Sequence, residues 1–220
     1  MKIIKDKYEK KEIQNLPRAL FEGRIVTIIS EIEANAAVRF LLSQDIIGLD
    51  TETRPSFKKG RSYQVALLQV STHDTCFLFR LNRIGLCPAL RSLLEDCSVL
   101  KVGLSLHDDF RMLNRRGEFT PGRHAELQQE VKKLGIQDMS LQKIYANIFG
   151  EKIAKNQQLS NWEADVLTEA QQRYAATDAW ACIKIYEEIQ RLQKCLDYVL
   201  EITPEPETEP EAADEAVAKE

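Results

Sequence analysis

The stretch Asp45-Ile46-Ile47-Gly48-Leu49-Asp50-Thr51-Glu52 decides how this chain is read. Its first half is too apolar for a strand with one wet face, which places it at the centre of a sheet covered on both sides. Helices above and below that sheet are therefore expected. Its second half turns acidic, and residues two apart on a strand share a face, so Asp50 and Glu52 project together. Two carboxylates at the end of a buried strand repel one another unless a cation joins them. Hard divalent ions such as Mg²⁺ take oxygen ligands of this kind.

The flanking sequence alternates between the two regular structures. Upstream, Arg24 to Ile29 reads as a strand and Glu31 to Leu42 as a helix. Downstream, Tyr63 to Val70 and Thr75 to Leu81 read as an antiparallel meander with a turn around Ser71-Thr72-His73-Asp74. A helix over Pro88 to Glu95, a strand over Val99 to Gly103 and a helix opening near Asp108 follow. His124 to Gln128 reads as one more strand, Phe119 to Arg123 as irregular, and the last long helix spans Thr168 to Lys194. The expected class is α/β, a mixed central sheet flanked by helices on both faces.

Length and composition set the bounds on everything else. The chain has 220 residues, 44% of them hydrophobic and 29% charged, enough for one domain with a real core plus appendages. No apolar run approaches the roughly 20 residues that span a bilayer, and Met1-Lys2-Ile3-Ile4-Lys5 has no signal-peptide core, so no membrane partner and a cytoplasmic location are expected. The five cysteines are scattered, with no C-x-x-C pair, which fits reduced thiols better than a disulfide framework or a zinc site. The net charge of -4 is unevenly spread: Thr203 to Glu220 carries seven acids against one lysine, and the remainder holds 29 basic and 27 acidic residues. That near-neutral body is compatible with nucleic acid without requiring it. Residues 1-23 read as an N-terminal arm packing on the body, 24-198 as the folded domain and 199-220 as an acidic disordered tail.

Further acids fall where chemistry is done. His107-Asp108-Asp109-Phe110 opens a helix after the strand ending at Gly103, and one of the two aspartates is expected to cap that helix. Asp108 is assigned the cap and Asp109 the ligand, with the reverse kept open. In Tyr174-Ala175-Ala176-Thr177-Asp178 the i, i+4 spacing puts phenol and carboxylate on one helix face, among alanines small enough to let that face approach the sheet. Asp50, Glu52, Asp109 and Asp178 together outline a two-metal site, in which two ions clamp the attacking and leaving oxygens of an in-line displacement at phosphorus.

These residues resemble the three motifs of the DEDD superfamily of 3'-5' exonucleases, in its tyrosine-containing (DEDDy) branch. The likeness covers about Arg24 to Leu196: Ile46 to Glu52, Val102-Gly103 through Asp109 to Leu113, and Tyr174 to Asp178. Arg173 stands where the histidine branch has its histidine. Leu159-Ser160-Asn161-Trp162, with Leu167-Thr168 and Tyr174 to Ala179, is similar to the exonuclease domain of Werner-syndrome helicase and, more distantly, to ribonuclease D. The resemblance implies a ribonuclease H-like fold, a nucleic acid with a free 3' end as partner, and release of nucleoside 5'-monophosphates. It implies two divalent cations, Mg²⁺ or Mn²⁺: one held by Asp50, Glu52 and Asp178, the other by Asp50 with Asp109. It implies that Tyr174 orients the attacking water. DNA is the favoured substrate, with ribonuclease D-like trimming of RNA 3' ends as the alternative and a non-catalytic nucleic-acid-binding or scaffold protein as the rival class.

The loop after the first motif, Arg54-Pro55-Ser56-Phe57-Lys58-Lys59-Gly60-Arg61, combines cations with a ring, as a groove that tracks a strand does. Arg54, Lys58, Lys59 and Arg61 are its candidate nucleic-acid-binding residues, with Lys152, Lys155 and Arg173 as weaker ones. Trp162 and Trp180 are expected in the core.

Overall fold

In the computed structural model of the protein, which describes residues 1–58, 60 and 62–204, the alternation becomes one mixed sheet between two helical layers. The elements in chain order are β1 (Lys2–Lys5), α1 (Lys10–Ile13), β2 (Arg24–Ile28), α2 (Glu31–Leu41), β3 (Ile46–Thr53), β4 (Val65–Ser71) and β5 (Thr75–Arg80). There follow α3 (Leu81–Ile84), α4 (Pro88–Glu95), β6 (Leu100–Gly103), α5 (Leu106–Leu113), β7 (His124–Glu126) and α6 (Leu127–Lys132). The chain closes with α7 (Leu141–Phe149), α8 (Glu169–Cys195) and β8 (Tyr198–Glu201). The main sheet runs β2-β5-β4-β3-β6-β7. Its centre, β3 with β4 and β4 with β5, is antiparallel, whereas β2 on β5, β6 on β3 and β7 on β6 are parallel.

The apolar run at β3 is central for the reason read from it: both its faces are covered. Ile47 and Leu49 join Leu68, Val70, Phe77 and Phe79 against α2, α4 and α5 on one side. On the other side α8 packs across the sheet, with Ala175 and Ala176 over Leu67 and Leu78, and Ala181 to Leu192 over a second cluster shared with α6 and α7. Capping boxes start α2 (Ser30 with Glu33) and α8 (Thr168 with Gln171), each satisfying free backbone N–H groups of the first turn. Trp162 is fully buried and Trp180 half-buried.

Two readings need correction. The tail does not begin at 199: Tyr198–Glu201 form β8, which pairs in parallel with β1, Lys2 opposite Tyr198 and Lys5 opposite Glu201. Thr203 continues the contact by donating its N–H and hydroxyl to Asp6. This small sheet is made from opposite ends of the sequence, so no local pattern announces it. The acidic residues 205–220 lie outside the described residues. The second correction concerns Asp108, which does not cap α5. The helix starts two residues earlier, after Ser105 in the left-handed region (φ 63°), and the Glu126 carboxylate from β7 accepts from the N–H groups of Ser105 (2.8 Å) and Leu106 (2.7 Å). Asp108 is an exposed first-turn residue paired with Arg111 at 3.0 Å.

Candidate active site

Gly48 sets the distance between the two elements that carry the acids. A Cβ on this residue would sit 1.9 Å from the backbone carbonyl oxygen of Ala179, so only a glycine lets α8 cross β3 this closely. Asp178 immediately precedes Ala179, and Asp50 and Glu52 lie on the same face of β3 as Gly48. The close crossing therefore delivers a helical carboxylate onto two strand carboxylates. The ligand oxygens of Asp50, Glu52 and Asp178 all lie within 4.8 Å of one another.

Asp109 approaches from α5 but is held apart from that group, accepting a hydrogen bond from the Thr51 hydroxyl. Its charge still reaches Asp50 and Glu52. A cleft of about 330 Å³ opens over the site, lined by Asp50, Glu52, Tyr174 and Asp178 together with Met139 to Gln142, Lys155 and Gln158.

Burial and mutual repulsion shift the titration of all four acids. Burial raises Asp50 well above the usual carboxylate range, with Asp178, Asp109 and Glu52 adding to the effect. Burial also pushes Glu52 up to about 9, helped by the charges of Asp178 and Asp109. Asp178 and Asp109 are each pushed up to about 7 by burial, opposed at Asp178 by the Tyr174 hydroxyl and Lys155, and at Asp109 by the Thr51 hydroxyl. Tyr174 is raised above the ordinary phenol value by burial and by Asp178 and Glu52, so it stays protonated at neutral pH and serves as a donor. An all-oxygen donor set of converging, mutually repelling carboxylates fits a hard divalent cation.

A pH dependence follows. These carboxyls bind protons more tightly folded than unfolded, where they titrate near 4, so the metal-free protein loses stability as pH rises from about 4 to about 9. Melting in EDTA should show a falling Tm over that window. A divalent cation should raise Tm more at pH 8 than at pH 5, and an increment independent of pH would contradict the assignment.

The basic loop occupies neighbouring ground. Arg54 and Lys58 line a groove with Phe57, Tyr63 and Leu159, separate from the acidic cleft. Arg54 is also ion-paired to Glu163 at 3.3 Å and lies 5.0 Å over the Tyr63 ring. Lys58 is exposed, and Lys59 and Arg61 lie outside the described residues. Of the weaker candidates only Lys155 lines the cleft. Lys152 donates to the Gln14 carbonyl, and Arg173 to the Phe21 carbonyl and the Glu169 carboxylate. Thr51 and Glu126 escaped the sequence reading. Thr51 had the signal of standing between the two motif acids, whereas Glu126 had none, because it meets α5 only through the β6–β7 pairing.

A family model of 3'-5' exonucleases matches residues 25–194. The chain belongs to the 3'-5' exonuclease family. Within that family it is 31% identical over 189 residues to the bifunctional 3'-5' exonuclease/ATP-dependent helicase WRN of Mus musculus, an alignment covering 81% of this chain and 13% of that protein. Ribonuclease D of Shewanella is 25% identical over 173 residues, covering 77% of this chain and 44% of that enzyme. The chain thus spans less than half the length of either relative. Among solved exonucleases, the Nibbler EXO domain of Aedes aegypti superposes with a TM-score of 0.73 at 22% identity, covering 83% of this chain and 94% of that one. The fold is the ribonuclease H-like fold of these exonucleases.

Proposed function

We propose that this chain is a two-metal-ion 3'-5' exonuclease of the tyrosine-containing DEDD branch, acting on DNA and releasing nucleoside 5'-monophosphates from a free 3' end. The observation that carries this reading is the convergence of Asp50, Glu52 and Asp178 from one strand and one helix in a cleft, with the Tyr174 phenol beside Asp178. Mg²⁺ or Mn²⁺ at such a site lowers the pKa of water and stabilises both the attacking and leaving oxygens. Asp50, Glu52 and Asp178 would hold one cation, and Asp50 with Asp109 the other. Tyr174, kept protonated by its surroundings, positions the attacking water by hydrogen bonding and does not serve as the base. Lys155 adds a positive charge to the cleft wall, suited to a substrate phosphate. Arg54, Lys58, Lys59 and Arg61 would track the strand beyond the terminal nucleotide.

A ribonuclease D-like role in trimming RNA 3' ends is the second reading, supported by the likeness to that enzyme. Matched DNA and RNA oligonucleotides, labelled at the 3' or the 5' end and incubated with Mg²⁺, Mn²⁺ or EDTA, separate the two. A cation-dependent ladder shortening from the 3' end is the expected result, faster on DNA. The same ladder on RNA alone would transfer the assignment to RNA, and binding without hydrolysis in every arm would leave a nucleic-acid-binding protein. No helix among the described residues is long and apolar enough to cross a membrane.

The two adjacent aspartates give a sharper check. Asp109→Asn should lower the rate about a hundredfold or more, and Asp108→Asn should leave it near the wild-type value, since Asp108 is exposed and engaged with Arg111. An inactive Asp108→Asn beside an active Asp109→Asn would reverse the assignment.

A further inference from the structure

Gln69 stands at the middle of β4, fully buried, and neither its Oε1 nor its Nε2 has a hydrogen-bond partner among the described residues. Its position is specific. In the β3–β4 ladder Gln69 lies directly opposite Asp50, and on the other side it faces Leu78 of β5. Directly opposed residues of an antiparallel pair present their side chains on the same face, with Cβ atoms about 4.5–5.5 Å apart. That face is the one covered by α8, because Leu67 and Leu78 pack there under Ala175 and Ala176. Gln69 therefore stands beside Asp50 on the face of the sheet that carries the acidic site.

Nothing in the packing calls for an amide at this place. Leu67, Cys76 and Leu78 around it are apolar, and a buried amide with both polar atoms unbonded is a net cost to the fold. A side chain of the same length without polar atoms would fill the space more cheaply. We propose that Gln69 is a positioning residue for Asp50: with a divalent cation bound, its Nε2, unbonded in this structure, donates to the Asp50 carboxylate and fixes that group's orientation. Asp50 is the one acid assigned to both cation sites, so a misoriented carboxylate there would weaken both. Hydrogen bonds that hold ligating carboxylates and imidazoles in place are typically worth 10–100-fold in metal affinity or activity.

The inference rests on the two-metal reading, and the test separates their failures. Mn²⁺ binding to wild type and Gln69→Met is measured by titration calorimetry, alongside melting of both proteins in EDTA. Gln69→Met should bind Mn²⁺ about tenfold or more weakly while melting in EDTA at or above the wild-type temperature, since two unbonded polar atoms have been removed. A merely structural glutamine would give the opposite pair of results: a lower melting temperature and unchanged Mn²⁺ affinity. Equal Mn²⁺ affinity in the two proteins overturns the positioning role. Should Gln69→Met fail to fold, Gln69→Asn keeps the amide but withdraws it by one methylene, and wild-type Mn²⁺ affinity in that variant overturns the role equally. A folded wild-type chain that binds no Mn²⁺ overturns the two-metal reading, and the positioning role with it.

Discussion

Asp178→Ala should yield a folded protein whose hydrolysis of a 3'-labelled oligonucleotide has fallen at least about a thousandfold, a loss equivalent to about 4 kcal/mol of transition-state stabilisation. The same is expected of Asp50→Ala. Both residues belong to the group of three whose oxygens converge within 4.8 Å, so removing either leaves two of the three carboxylates proposed to hold the first cation. Stability should move the other way. Each acid raises the proton affinity of its neighbours, which means that in EDTA the remaining carboxylates repel less once one is gone. The melting temperature of Asp178→Ala in EDTA should therefore match or exceed that of wild type at pH 8, and the benefit conferred by Mg²⁺ or Mn²⁺ should largely vanish. Wild-type hydrolysis by a folded Asp178→Ala would remove the site assignment altogether. Asp178→Asn, which keeps the size of the side chain, serves if the alanine variant does not fold.

Gly48→Ala should be strongly destabilising although it adds only a single methyl group. The added carbon would meet a backbone carbonyl, not a side chain that can turn away, so β3 or α8 must shift bodily. Overpacking of this kind costs about 3 kcal/mol or more, which for a domain of this size corresponds to roughly 6–12 °C in Tm. The damage should also reach the chemistry well below the melting temperature. Asp178 rides on α8 next to the point of contact, and a displacement of about 1 Å in a reacting geometry can cost on the order of a hundredfold in rate. Urea denaturation and a rate measurement at low temperature check the two effects separately. An unchanged denaturation midpoint would show that the helix does not rest on the strand at Gly48.

What the sequence reveals about this molecule, and what it hides, divides by distance along the chain. The strand over Ile46 to Glu52 is legible because its composition reports burial on both faces. The helix around Asp178 is legible because its alanines announce close packing. Neighbouring residues carry both signals. The start of α5 is misread because its N–H groups are satisfied by Glu126, from another strand, so the adjacent aspartates invite a capping role that neither performs. The Thr51 hydroxyl on Asp109 and the register that sets Gln69 opposite Asp50 are likewise properties of strand pairing and helix docking, which a linear reading does not contain.

The pairing of β1 with β8 also bears on the order in which the molecule assembles. Lys2 meets Tyr198 across nearly the whole described chain, and the entropy of closing so large a loop grows only logarithmically with its length, so the contact is thermodynamically tolerable. Kinetically it is expensive, because contacts so far apart in sequence are the slowest to form. During synthesis β1 emerges long before β8 and has no partner until the residues of β8 leave the ribosome. The six-stranded sheet can form in that interval without it, which makes the β1–β8 pair the last seam of the described fold to close.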